Sequence, residues 1–530
     1  MAFTRSIDEL IKNDKTGLLG KHPSWKRVKL SLIASILNGA PFESSKFSSS
    51  EGTPLIRIRD LLTGSTETFY IGEYQDTYLI NKGDLLIGMD GDFNSCLWNG
   101  ATGLLNQRVC KVTIETDLYD KTFVNLLLPG YLTSINEHTS SVTVKHLSSK
   151  TIGDIDLPLP PRKEQTRIVE KLEELLPQLD AGIAELQAAQ KKLTQYRQSL
   201  LKAAVEGQLT ADWRKRNVPT EDGAQLLERI LSERRSHWEA KQLAKFNEQG
   251  KKPPKGWQDK YPEPARPDTT NLPKLPEGWV WATIDQVSLH QRYGSSAKTN
   301  DDKSGVPVLR MGNIQDGSLD LSSLKYLPKE HHEFPDLLLK KNDVLFNRTN
   351  SYELVGKTAI YKGEPQTCSY ASYLICITPS PLINPEGISF YINSLHGRRW
   401  IASVVTQQVG QANVNGSKLS SLSIPLPPKE EQDAISYIAQ SSLQDASFLE
   451  EQIKTGISLL NKQRQNILRA AFAGELVPQD PNDEPASELL ARIAAERAAK
   501  QVSKRVPAER NKATAVEPSG TTRRKRKEAS

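Results

Sequence analysis

A chain of 530 residues is too long for one hydrophobic core and predicts three or four parts; its 37% hydrophobic and 25% charged side chains can bury sizeable cores, and no apolar run approaches the roughly 18 residues of a membrane helix. Four cysteines, Cys96, Cys110, Cys368 and Cys376, lack C-x-x-C spacing and a nearby pair of histidines, which argues against a disulfide framework or zinc site and predicts buried or partly buried thiols. The net charge of +6 does not speak for nucleic-acid binding by the folded body, because from Ala499 onward the chain carries ten Lys or Arg against three Asp or Glu, and the remainder is close to neutral.

Met1 to Asp14 scatters its charges among single apolar residues, so no secretory signal and a cytoplasmic location are expected. Residues 18–156 are rich in short apolar runs broken by Gly, Asn, Ser and Asp, the pattern of a mixed α/β domain with more strand than helix. In residues 157–209, Pro160 and Pro161 close an extended segment and Lys163-Glu-Gln opens a helix whose acid suits its positive N-terminal end. Apolar side chains at Ile168, Leu172, Leu175, Leu179, Ile183, Leu186, Leu193, Tyr196 and Leu200 then fall mostly three or four apart, up to Gly207 as the predicted C-cap, with Pro177 expected to divide the element into a short and a long helix.

Residues 210–276 begin with helix-prone charge patterning over Gln225–Gln242 and pass into Lys251-Lys-Pro-Pro and Tyr261-Pro-Glu-Pro-Ala-Arg-Pro, which reads as an extended connector. Residues 277–423 form a second globular segment of the same character, with short strands expected at Val306–Met311, Asp343–Phe346 and Tyr373–Ile377. Residues 424–476 repeat the helical element, with Leu449, Ile453, Ile457, Leu460, Ile467 and Ala471 as its stripe and Gly474 as its end. In 477–530 a weaker helix over Ala486–Lys500 leads into a polar end, and this C-terminal extension is expected to be largely disordered.

The chain is thus a tandem repeat. Leu157-Pro-Leu-Pro-Pro-Arg-Lys-Glu-Gln165 returns 267 residues later as Ile424-Pro-Leu-Pro-Pro-Lys-Glu-Glu-Gln432. The same shift carries Leu200-Leu-Lys-Ala-Ala-Val-Glu-Gly-Gln-Leu209 onto Ile467-Leu-Arg-Ala-Ala-Phe-Ala-Gly-Glu-Leu476. The absence of any gap matters, since one inserted residue would turn the apolar face by about 100°. The globular segments correspond more loosely: Pro54-Leu-Ile-Arg-Ile-Arg parallels Pro307-Val-Leu-Arg-Met-Gly, and Leu79-Ile-Asn-Lys-Gly-Asp parallels Leu338-Leu-Lys-Lys-Asn-Asp. Narrow stripes of this kind ask for a partner helix; any coiled-coil partner would serve, but the other copy in the same chain is the expected one.

Catalytic signatures do not complete themselves. Gly356-Lys-Thr has Ser351 where a phosphate-binding loop needs its first glycine, and there is no G-x-G-x-x-G, H-E-x-x-H or G-x-S-x-G run, nor an Asp/Asn-Pro-Pro-aromatic tetrapeptide. His331-His332 has no third ligand in sequence reach. A chain without chemistry of its own, and without a cofactor, is expected.

The doubled Pro-Pro-x-x-Glu/Gln openings, the A-A-x-x-G-x-L helix ends and the divergent globular halves together resemble the specificity subunit of type I restriction-modification enzymes, over about Trp25 to Leu476. The resemblance implies two α/β target-recognition domains separated by two long antiparallel coiled-coil helices, in a pseudo-two-fold repeat. It further implies double-stranded DNA as ligand, two methyltransferase subunits as partners, and restriction/translocase subunits that join for cleavage. Asp84-Leu-Leu-Ile-Gly-Met-Asp-Gly-Asp-Phe-Asn94 with Leu105-Asn-Gln-Arg-Val109 is similar to one class of such domains. Phe346-Asn-Arg-Thr-Asn-Ser351, Glu353-Leu-Val-Gly-Lys357 and Gln408-Val-Gly-Gln-Ala-Asn-Val-Asn415 are similar to another, so the two half-sites should differ. A non-catalytic coiled-coil scaffold without sequence-specific DNA binding is the competing expectation.

Reading base edges needs Arg or Lys for guanine, Asn or Gln for adenine and an acid for cytosine. The first half supplies Arg57, Arg59, Asp90, Asp92, Asn94 and Gln107; the second supplies Arg310, Asn313, Asn347, Arg348, Asn350, Gln411 and Asn413. Asn, Asp and Gly in tight loops also serve turn geometry, and Arg57 and Arg59, two apart on one strand face, could equally line a solvated edge. The basic run Arg523-Arg-Lys-Arg-Lys527 reads as a flexible tail, or as a source of salt-sensitive phosphate contacts.

Overall fold

The computed structural model describes residues 5–139, 144–408 and 411–505. The chain divides into two compact units, one built from the chain up to Glu185 and from Gly456 on, the other from Leu186–Thr455.

In the first unit, four antiparallel strands lie in the order Ala34–Asn38, Val109–Ile114, Leu85–Gly88, Ser95–Leu97. Leu85 and Ile87 enter one hydrophobic cluster and Leu86 the other, so both faces of this sheet are covered. That explains why the strand reads as a continuous apolar run rather than an alternation. Thr53–Ile56 runs parallel to Gly103–Leu105, and Lys26–Lys29 pairs with Asp156–Leu159, tying the start of the globular segment to its end.

The second unit repeats this plan with different residues. Ser288–Tyr293, Leu374–Pro379, Val344–Asn347 and Thr358–Ile360 form a sheet of the same strand order, with Val344 and Phe346 in one cluster and Leu345 in the other. Val306–Leu309 runs parallel to Ser369–Tyr370, and Val280–Thr283 pairs with Ser423–Leu426. The three strands expected in this half are all present, within three residues at each end.

Two long helices, Arg162–Val205 and Lys429–Ala473, each contribute one end to each unit. Pro177 does not divide the first. Its ring lies on the exposed side, and Ile168, Val169, Leu172 and Leu176 are buried around it, so local packing offsets the one missing hydrogen bond. Both helices end on the expected glycines. Gly207 (φ +72°) and Gly474 (φ +75°) take the left-handed conformation, with Gln208 N–H donating to the Ala203 carbonyl and Glu475 N–H to the Ala470 carbonyl, each at 2.8 Å.

Within each unit the two long helices touch. Asp180 pairs with Arg464 in the first, where Gly182 faces Leu460; in the second, Arg197 reaches Glu450 at 2.7 Å and Ser447 Oγ at 2.9 Å. Tyr196 and Leu449, read as members of the apolar stripes, instead face outward at 47% and 51% exposure.

Each helix end closes on the same device. Trp25 Nε1 donates to Glu164 (3.0 Å) and Trp279 Nε1 to Glu431 (2.8 Å), and these acids occupy equivalent places in the doubled Pro-Pro motif. Glu431 also accepts from Thr210 at 2.6 Å and pairs with Arg214, while Glu164 accepts from Gln479.

The segments after the long helices are duplicated as well. Gly223-Ala-Gln-Leu-Leu-Glu-Arg-Ile230 opens the helix Gly223–Glu248, and Ala486-Ser-Glu-Leu-Leu-Ala-Arg-Ile493 opens the helix Ala486–Arg505. Leu226 and Ile230 are buried in the core of the second unit, Leu489 and Ile493 in that of the first. Arg234 donates to the Ser288 carbonyl just as Arg497 donates to that of Ser31. The extended connector is folded back onto its helix, with Trp238 stacked on Trp257 (5.9 Å) and edge-on to Tyr261 (5.5 Å). The extension is therefore helical over Ala486–Arg505, with Leu489 and Ile493 packed in the first unit; Arg523–Lys527 lie outside the described residues.

The four cysteines are free thiols, three of them buried, and burial pushes Cys110 and Cys368 up to about 12 and Cys96 to about 11. Among the described residues no helix is long and apolar enough to cross a membrane.

Candidate nucleic-acid interface

Arg57 and Arg59 do not share a strand face: both lie in the turn after the strand Thr53–Ile56, where the buried carboxylate of Asp60 accepts from Arg57 N–H at 2.8 Å and pins the turn. Asp90 leaves the end of Leu85–Gly88. The following loop is shaped by Gly91 (φ +75°) and Phe93 (φ +54°), whose ring is buried and anchors it. Gln107 occupies the turn between Gly103–Leu105 and Val109–Ile114.

These three loops meet around a cavity of about 850 Å³, lined by Arg57, Arg59, Asp90, Asp92, Asn94 and Gln107. All six first-half candidates are thus brought together. Phe42, Phe47, Asn106 and Arg108 complete the wall. Arg108 was missed by sequence reasoning although it adjoins Gln107 in the quoted motif; Asn106, Gln107 and Arg108 all reach the same wall, which the turn brings about and the letters alone do not show.

In the second unit the candidates divide. Arg348, Asn350, Gln411 and Asn413 lie on or beside a three-stranded sheet formed by Thr349–Asn350, Gln411–Asn413 and Thr406–Gln408. The Arg348 guanidinium lies 4.7 Å over the Tyr293 ring, and Asn413 Nδ2 donates to Thr349 Oγ1 at 2.9 Å. Asn313, only 4% exposed, shapes the loop after Arg310. Its carbonyl oxygen accepts from Arg310 N–H at 2.9 Å and its amide donates to the carbonyls of Asp320 and Ser323. Asn347 is fully buried at the end of its strand, and its amide meets no hydrogen-bond partner among the described residues. The structure does not bring Asn313 and Asn347 to the surface with the others.

Matching hydrogen bonds align the two sites. Met89 N–H donates to Arg108 O and Leu147 N–H to Met89 O, as Arg348 N–H donates to Tyr373 O and Val414 N–H to Arg348 O. Cross-strand bridges then equate Asp90–His146 with Asn413–Thr349, residue for residue: Asp90 with Thr349, His146 with Asn413. Arg108 corresponds to Tyr373. One backbone frame presents two chemically different surfaces.

A family model described as the type I restriction modification DNA specificity domain matches residues 23–188 and again 276–459. The chain is 34% identical to the type I restriction enzyme EcoBI specificity subunit of Escherichia coli, over 94% of this chain and 98% of that one. It is 24% identical to the EcoKI specificity subunit of Escherichia coli strain K12, over 91% and 97%. Among solved structures, a chain from work on complex assembly and conformational transition of the type I R-M system aligns with TM-score 0.54 and 18% identity, covering 86% of this chain and 99% of that one.

Proposed function

Because the chain belongs to the type I restriction-modification DNA specificity family, as its non-catalytic sequence-reading subunit, we propose that each of its globular parts reads one half of a bipartite, asymmetric DNA site while the paired long helices set the spacing. The observation that carries this reading is the repeated frame with unlike side chains: Asp90, His146 and Arg108 in one half, Thr349, Asn413 and Tyr373 in the other. Identical frames dock alike, and different headgroups select different bases.

The target-recognition domains are residues 18–156 and 277–423, and the helical regions 157–209 and 424–476 form an antiparallel coiled pair. The progression of contacts within the first unit supports the antiparallel sense, since Asp180 meets Arg464 while Gly182, two residues on, meets Leu460, four residues back. Two methyltransferase subunits are held by this chain, with restriction/translocase subunits joining them, in the cytoplasm. Arg57, Arg59, Asp92, Asn94 and Gln107, and on the other side Arg310, Arg348, Asn350, Gln411 and Asn413, are the surfaces offered to the two half-sites.

Exchange of residues 18–156 for those of a relative tests the division of labour. With the cognate methyltransferase present, the methylated motif should change in one half only. A change in both halves defeats the proposal, and failure to methylate any defined motif with a folded, assembled chain favours a scaffold without sequence reading.

A further inference from the structure

Three arginines line the first-unit cavity, and they are held differently. The guanidinium of Arg57 has no partner among the described residues, and Arg59 spends one terminal nitrogen on Thr68 Oγ1 at 3.2 Å. Arg59 and Arg108 each have a carboxylate beside Nε, Asp60 Oδ1 at 3.8 Å and Asp90 Oδ2 at 3.3 Å, and Arg108, whose side chain is 54% exposed, is held the more closely. Asp90 is itself anchored, with Oδ1 2.6 Å from His146 Nδ1, and its side chain is only 21% exposed.

This arrangement leaves both terminal nitrogens of Arg108 without a partner among the described residues and directs the cavity-side edge of a pre-oriented fork toward a ligand. Bidentate recognition of guanine O6 and N7 uses such an edge. By contrast, Asp90 faces a guanidinium with one oxygen and an imidazole with the other and is mostly covered, which leaves little of its carboxylate open to a cytosine amine. Resting on the reading of this cavity as a DNA surface, we infer that Arg108 is the guanine reader of the first half-site and that Asp90 is its positioning residue rather than a base reader. The second unit fits the assignment: at the equivalent pair Asn413 holds Thr349, but Tyr373 stands where Arg108 would be, so this mode of reading belongs to one half alone.

The test uses the full complex with its cognate methyltransferase on a duplex library, with methylation read at every position, for wild type, R108A, D90N, the double variant and R57A. R108A should lower the preference for guanine at one base pair of the first half-site about tenfold and leave the second half-site intact. D90N should relax that same base pair and add little on top of R108A. An unchanged preference in R108A while R57A alters the half-site would overturn the assignment and spare the DNA reading. A D90N effect at a different base pair would return Asp90 to the readers, and a uniform loss at all positions would make it a merely structural group. If R57A, R108A and D90N all leave the motif unaltered, the cavity is not the DNA surface.

Discussion

Glu431→Ala is expected to destabilise the second unit by about 3–5 kcal/mol, because removing one member of a buried ion pair strands the others. The Glu431 side chain is 1% exposed, and around it gather Arg214, Thr210 and the Trp279 indole, which lose their acceptor together. Denaturant unfolding of the assembled chain should show the loss, and Glu431→Gln should lose less, since an amide oxygen still accepts from Thr210 or Trp279. The equivalent acid of the first unit behaves differently. Glu164 accepts from neutral Trp25 and Gln479, and burial pushes its carboxyl above the usual range despite those bonds. Its stabilisation is therefore present at low pH and lost as the pH rises through the raised value, so Glu164→Gln should flatten that part of the stability profile. An E431A chain with wild-type stability would refute the role of this acid as the clasp between helix end and domain.

Leu489→Ala should cost about 2–5 kcal/mol, the range for truncating a fully buried leucine. Leu489 is 0% exposed and Ile493 2%, and both belong to the cluster that contains Trp25, Leu30 and Ile33. The damage should appear in the first unit, read by hydrogen exchange over Lys26–Ile33, although the mutation lies more than 450 residues away in sequence. Protection unchanged in that segment would mean that the C-terminal helix contributes nothing to the fold. Stability here comes from docking rather than from the helix itself, whose sequence after Ile493 is mostly polar.

The legibility of this protein follows from which signals are local. Gly207 and Gly474 could be placed from sequence because a left-handed C-cap needs glycine, and the doubled Pro-Pro motif because its register is unbroken. Pro177 misleads, since sequence shows the missing N–H but not the buried neighbours that hold the helix together. Tyr196 and Leu449 fall at stripe spacing, yet the stripe is narrower than its letters suggest. The helices at Gly223 and Ala486 are each legible in the sequence, but their duplication is not, because their shift of 263 departs from the 267 of the main repeat and only Leu-Leu-x-Arg-Ile is shared in full. In the first half the candidate readers converge because they lie at strand ends that the parallel pairing brings together. In the second, Asn313 and Asn347 turn inward: an asparagine that shapes a loop and one that reads a base are the same letter, and only tertiary placement separates them.

The central claim is that two dissimilar readers are set at a fixed interval by paired helices of one chain. Inserting one heptad into each long helix at facing positions adds about 10 Å of rod, close to three base pairs of duplex. Mapping the methylated motif of that variant should return both original half-sites separated by a spacer about three base pairs longer. The original spacer, with both half-sites intact and methylation undiminished, would contradict the claim.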